Sequence, residues 1–274
     1  MPGPEAYSEI RYLEAKLTVD DRALNRSVLG AFAATMSESA GQARRVLELG
    51  AGLGNMVARL GREGWMGGAR YTLLDKDGEA LRAAAVSSDA EVELVEADVF
   101  AFLDGAGKSA PFDAVIANAF LDLVDVPALL PLLWRALRPG APFWFSINFD
   151  GETVFLPELP EDAEVFALYH RTMDERVRDG RRAGESRTGR HLLEWLPRSG
   201  ATLTAAGSSD WVVWPTAGRY PGDEAYFLHH IVHTIDVALA DPRFAPWIAA
   251  RHAQIERGEL VYLAHQLDVA GRAP

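Results

Sequence analysis

The sequence contains no cysteine. Disulfides, thiolate metal sites and cysteine nucleophiles are therefore excluded, and a reducing, cytoplasmic setting is the expectation. No run approaches the roughly 18 uninterrupted apolar residues of a membrane span, so no membrane partner is expected. Basic charge is scarce: 27 Lys and Arg stand against 39 Asp and Glu, a formal net charge of -12. Phosphate backbones are repelled by such a surface unless it holds a local basic patch. The one dense basic run, Arg176-Val177-Arg178-Asp179-Gly180-Arg181-Arg182, is interleaved with acid, so no nucleic-acid partner is expected. The opening Met1-Pro2-Gly3-Pro4-Glu5 offers neither the basic region nor the apolar stretch of a signal peptide. No internal repeat or low-complexity tract is visible.

What is present is a chain of 274 residues, 49% of them hydrophobic. That is enough for one large domain with inserted segments. Tyr7, Ile10, Leu13 and Leu17, then Leu24, Val28, Leu29 and Phe32, recur at helical spacing around a polar break at Thr18 to Arg22. They predict a helical pair in which Asp20 or Asp21 caps the second member. Short apolar runs then alternate with helical patterns. Strands are expected at 45–49, 70–74, 92–95, 112–117 and 141–147, and helices at 55–64, 78–87 and 126–137. Such alternation predicts a parallel sheet covered on both faces. Ligands of these sheets lie outside the carboxyl ends of the strands. Past Asn148 the pattern changes. Residues 151–188 read as one insertion, with a charged helix at 162–178, and residues 215–258 as another. Between them lie a helix at 190–198 and a strand from Ala201 toward Trp214. A last strand is expected at 259–267.

The stretch Glu48-Leu49-Gly50-Ala51-Gly52-Leu53-Gly54 ends the first strand. Alternate glycines let a backbone turn sharply and admit a ligand close to the main chain. The free N–H groups of the next helix offer it donors. A dinucleotide fingerprint needs a third glycine where Asn55 stands. An NAD(P)-dependent oxidoreductase is thus the second choice. The E-x-G-x-G-x-G spacing resembles motif I of the class I S-adenosylmethionine (SAM)-dependent methyltransferases. Further matches follow in order: Leu73-Leu74-Asp75-Lys76-Asp77, Glu96-Ala97-Asp98-Val99, Phe112-Asp113-Ala114-Val115 leading to Asn118-Ala119-Phe120, and Leu137-Arg138-Pro139-Gly140.

The resemblance implies a Rossmann-like α/β fold, a seven-stranded, mostly parallel sheet with the last strand antiparallel. It implies a domain over 41–274, with residues 1–40 as a helical lid. It implies SAM as cofactor, held by Glu48, Gly50, Ala51, Gly52, Gly54, Asp75, Lys76, Asp98, Val99, Asn118 and Ala119. Asp75 would accept the ribose hydroxyls, since an ionised carboxylate offers two acceptor oxygens. Asp98 would bond the adenine amino group, and also reads as a helix N-cap. Asn118 and Ala119 would flank the methionine part.

The expected activity is methyl transfer to an oxygen or nitrogen of a small molecule, by a monomer or homodimer. A non-catalytic SAM-binding subunit is a further alternative. Substrate groups should come from segments above the strand ends: Asn118 to Asp122, Asn148 to Glu152, the two insertions and the N-terminal helices. His229 and His233, one turn apart, are the catalytic candidates. Phe120, Asn148, His170, Arg187, Tyr226 and His230 are the substrate-binding candidates. The same two histidines have the spacing of a metal pair, with Asp236 one turn on, but no metal is expected. Trp211 and Trp214 read as core or wall, with a cage for a cationic amine as the alternative.

Overall fold

The structure is a computed structural model that describes residues 3–38, 44–64, 68–84, 91–106, 111–178 and 180–274. The boundary expected at residue 40, the end of the helix expected to reach Ser87, and Asp179 of the basic run lie outside the described residues.

Three helices come first: α1 (Glu9–Ala15), α2 (Leu17–Ala23) and α3 (Arg26–Glu38). The polar stretch read as a break is helix α2 itself. Its polar side chains have partners, so they do not interrupt the helix. Asp21 pairs with Arg59, Arg22 with Glu224, and Asp20 with Lys16. Neither aspartate caps α3. Asn25 does, its Oδ1 accepting from the N–H groups of Ser27 and Val28 at 3.1 Å each.

The alternating section runs β1 (Arg45–Leu49), α4 (Asn55–Arg62), β2 (Arg70–Asp75), α5 (Gly78–Ala83), β3 (Glu91–Glu96), α6 (Val99–Ala106), β4 (Ala114–Asn118), α7 (Val126–Ala136) and β5 (Pro142–Leu156). A 3-10 turn, Leu121–Leu123, follows β4. After β5 come α8 (Asp162–Glu175), the hairpin β6 (Val177–Arg178) and β7 (Arg181–Arg182), then α9 (Thr188–Arg198), β8 (Thr202–Ser208) and β9 (Trp211–Val213). Helices α10 (Glu224–Leu239) and α11 (Ala245–Glu256) precede β10 (Val261–Arg272).

The sheet has the order β3-β2-β1-β4-β5-β10-β8, with β9 also pairing β10. The first five strands are parallel; β10 is antiparallel to β5, β8 and β9. The doubly wound architecture and antiparallel last strand agree with expectation, but the sheet has eight strands. The single run expected from Ala201 to Trp214 divides at Ser209-Asp210 into β8 and β9, each paired with a different stretch of β10. Strand β5 is also longer than expected. Its 15 residues continue through 151–156, the stretch read as the start of an insertion. It crosses Ile147 at φ 56° and stays paired with β10 on both sides of that bend. The pairing of Phe155 with Tyr262 is non-local, so an apolar period in 141–147 alone gave no sign of it.

Apolar side chains pack on both faces of the sheet. On one face Phe32 lies near Trp144, with ring centroids 5.8 Å apart, beside Val46, Leu73 and Ile116. On the other, Leu47, Val115 and Phe143 meet Leu129 and Leu133 of α7.

Candidate functional site

The first cavity forms where β1 ends. Gly50, Gly52 and Gly54 have φ of 63°, 51° and 69°, a left-handed backbone that glycine adopts without a Cβ penalty. A Cβ on Gly50 would stand 2.3 Å from Phe120 Cδ2, whereas one on Gly52 would meet only Leu13, at 3.4 Å. Gly50 therefore exists for packing, and Gly52 leaves a side of the backbone open. The loop is tied to β2 by its amides. Ala51 N–H donates to the Leu74 carbonyl at 3.1 Å, and Gly52 N–H to Asp75 Oδ2 at 2.8 Å. Asp75 Oδ1 accepts from Asp77 N–H at 2.9 Å. The strand-end carboxylate thus shapes the loop as well as facing the cavity.

This cavity has a volume of about 940 Å³. Glu48, Gly50, Ala51, Gly52, Asp75, Lys76, Asp98, Val99, Asn118, Ala119 and Phe120 all line it; of the expected cofactor residues only Gly54 is absent from its wall. Asp98 caps α6, its Oδ1 accepting from Phe100 and Ala101 N–H at 3.0 Å each. Ala119 has φ 50°, and its N–H donates to the Ser146 carbonyl at 2.9 Å. Burial pushes the Glu48 carboxyl up to about 8, against the opposing pull of Arg59, and its Oε2 is buried without a partner. The basic hairpin closes the far rim: Arg178, Arg181 and Arg182 line it, and the Arg181 guanidinium lies 4.6 Å from the centre of the Phe100 ring.

A second cavity, about 750 Å³, lies beside the first. Glu9, Leu13, Lys16, Ala119 and Leu123 line both. Its walls carry the rings of Tyr12, Phe149, Tyr169, Trp211, Tyr262 and His230. Lys16 is buried at the junction, its Nζ 3.0 Å from Asp20 Oδ2; Trp211 Nε1 donates to Asp20 Oδ1 at 2.9 Å. Residues 118–122 and the N-terminal helices are among the segments expected over the strand ends, but composition and spacing single out none of Lys16, Asp20 and Asp122 there. Their position depends on how α1 and α2 fold back over the strand ends.

The structure divides the substrate-side candidates. His230 and Phe120 reach cavities, the second and the first respectively. His230 stacks on Tyr12 at 4.1 Å, its Nε2 3.4 Å from Glu9 Oε2. His229 and His233 line neither cavity. His229 points at α11: its Nδ1 is 2.8 Å from His252 Nδ1 and its Nε2 is 3.1 Å from Glu256. Burial lowers the pKa of His229, and that of His252 falls to about 4. His233 stacks on Tyr7 at 3.9 Å. Residues four apart share a helix face, but here that face meets Tyr7 ahead of α1 and the helix α11, and His230 turns inward.

The remaining candidates also lie off both cavities. Asn148 is buried in the β5–β10 bulge, its Nδ2 donating to the carbonyls of Phe145 and Leu267. Tyr226 Oη receives the Ser8 N–H at 2.7 Å. His170 stands behind the wall, 3.0 Å from Thr153 Oγ1. Arg187 is exposed at the start of α9. Trp214 is also exposed, so it forms no cage with Trp211. Among the described residues no group of three or more His, Cys, Asp or Glu is placed to hold a metal ion.

Residues 46–140, from β1 through the turn before β5, match the family model described as "Methyltransferase domain". That part of the chain is similar to a methyltransferase domain. Its glycine loop, strand-end acids and the turn at Pro139-Gly140 all fall within the matched span. Comparison with curated proteins finds no match. Among solved structures the chain is similar to a protein of Anaeromyxobacter dehalogenans provisionally assigned as a type II methyltransferase, with 20% identity, TM-score 0.49, and 89% of this chain and 95% of that one covered. It is similar to geranyl diphosphate methyltransferase in complex with SAM, with 9% identity, TM-score 0.48 and coverage of 99% and 93%. It is also similar to magnesium protoporphyrin IX methyltransferase from Synechocystis PCC 6803 with bound S-adenosylhomocysteine, with 12% identity, TM-score 0.46 and coverage of 99% and 90%.

Proposed function

We propose that this protein moves a methyl group from S-adenosylmethionine to an oxygen or nitrogen of a small molecule. One observation carries the reading. The glycine-loop cavity adjoins a second cavity lined by aromatic rings, and Leu13, Lys16, Ala119 and Leu123 stand in the walls of both. Two adjoining compartments suit two reactants held end to end. Helices α1 and α2 act as the lid that separates both from solvent.

The first cavity fits the cofactor on its own polar atoms. Gly52 leaves its backbone open. The unpartnered Glu48 Oε2 needs a donor, which the ammonium of the methionine part supplies. Lys16, held by Asp20, faces the carboxylate of the same part. Each Asp75 oxygen already accepts one N–H and keeps a second lone pair for a ribose hydroxyl. Asp98 and Val99 serve the adenine end. The bound cofactor brings a methyl group on a positively charged sulfur. The protein's own part is to align the acceptor with it and to exclude water. His230 faces the acceptor in place of the expected His229 and His233.

Titration calorimetry tests this. SAM and S-adenosylhomocysteine should bind and NAD should not; absence of binding by both sulfur nucleosides sinks the reading, and binding of NAD alone would favour an oxidoreductase. Lys16→Met should weaken S-adenosylhomocysteine by tenfold or more and leave methylthioadenosine, which lacks the amino-acid part, unaffected.

A further inference from the structure

Asp122 and Gln266 both line the second cavity. Asp122 sits in the 3-10 turn after β4, next to Leu123 at the junction of the two cavities; Gln266 is on β10, in the sheet that forms the floor. Each carries a buried oxygen without a hydrogen-bond partner, Asp122 Oδ1 and Gln266 Oε1. Buried polar groups are nearly always satisfied, and an exception calls for a specific explanation. The same cavity is lined by the rings of Tyr12, Phe149, Tyr169, Trp211 and Tyr262, which suit a flat apolar body.

Resting on the SAM-dependent reading above, we propose that the acceptor is a hydroxylated aromatic molecule with at least two hydrogen-bond donors. One hydroxyl meets Asp122 at the junction, and the second donor meets Gln266 at depth. The first hydroxyl is the one methylated. Its oxygen forms a bond to the methyl carbon as the carbon–sulfur bond breaks. The sulfur keeps that electron pair and becomes neutral, and the hydroxyl proton passes to Asp122. Burial raises the Asp122 carboxyl to about 6, near the working range of a general base. Arg176, Lys16 and Tyr169 face it, and Glu9 and Glu175 line the same cavity.

The test uses the full chain with a panel of catechol-like diols, monophenols, anilines and aliphatic alcohols, read by S-adenosylhomocysteine release. Binding of each compound to the S-adenosylhomocysteine-loaded protein is measured alongside. Diols should be turned over with KM at least tenfold below monophenols, and Gln266→Leu should narrow that difference. Asp122→Asn should lower kcat by a hundredfold or more and abolish the fall in kcat/KM below about pH 6, with SAM affinity and melting temperature retained. Preferred methylation of anilines or aliphatic alcohols overturns the proposal. So does an Asp122→Asn enzyme with the wild-type rate and pH profile, or a loaded protein that binds no diol. If the sulfur nucleosides bind and these outcomes occur, the inference fails alone; if neither binds, the broader reading fails with it.

Discussion

Gly50 and Gly52 have the same backbone sign for different reasons. Gly50 is covered by the Phe120 ring, so Gly50→Ala should destabilise the fold by more than about 1 kcal/mol, measured as a denaturant midpoint. Gly52→Val should remove nucleoside binding, because its side chain would occupy the open side of the loop, and its left-handed φ of 51° adds a backbone cost that the denaturant midpoint reads. Glu48 carries the pH dependence. In the folded chain its carboxyl is protonated up to about pH 8, far above the ordinary carboxylate range. Folding therefore takes up a proton in that window, and stability from this group falls as pH rises through it. Glu48→Gln should raise the melting temperature relative to wild type more at pH 8 than at pH 5; an equal change at both would refute the assignment. Asp75→Ala should weaken S-adenosylhomocysteine by roughly 1.5–3 kcal/mol in calorimetry, the range for a hydrogen bond to a charged acceptor.

At the scale of elements, the additions to the core sheet are bound to one another. Arg251 of α11 is fully buried and pairs with Asp162 at the start of α8. It also donates to the Pro157 carbonyl and Gln254 Oε1 at 2.8 Å each, and Trp247 Nε1 donates to the same Asp162 at 2.7 Å. Asp162→Ala leaves that guanidinium charge buried without its carboxylate. The expected cost is about 3–5 kcal/mol in chemical denaturation, the range for breaking a buried pair. Because α8 and α10 wall the second cavity, acceptor KM should rise while SAM affinity in the first cavity is kept. Helix α10 also shows the limit of periodicity. Tyr226, His229, His230 and His233 are legible as one crowded face, but which of them meets a cavity depends on where α1 and α11 pack. Asn148 misled for a related reason: a polar residue at a strand end predicts a ligand contact unless the strand continues, as β5 does.

For the whole molecule, the two cavities share Glu9, Leu13, Lys16, Ala119 and Leu123 in their walls. A nucleoside that binds only the folded chain stabilises it by about 2.7 kcal/mol at one hundred times its Kd. S-adenosylhomocysteine at that excess should raise the melting temperature by several degrees, and NAD should not. The excess of acidic residues and the lack of a helix long and apolar enough to cross a membrane among the described residues are global features that leave the acceptor unspecified. What the sequence alone determined is the lining of the glycine-loop cavity. Glycine spacing, strand-end acids and the apolar alternation are local patterns, because a strand, its turn and the next helix are continuous in the chain. Ten of eleven expected cofactor residues therefore line one cavity. Only the tertiary structure decided the lining of the second cavity. Tyr12, Lys16, Asp122, Phe149, Tyr169 and Gln266 come from segments as far apart in the chain as α1 and β10. Their meeting depends on long-range pairing of β5 with β10 and on packing of α1 against α10, and no short-range pattern encodes either.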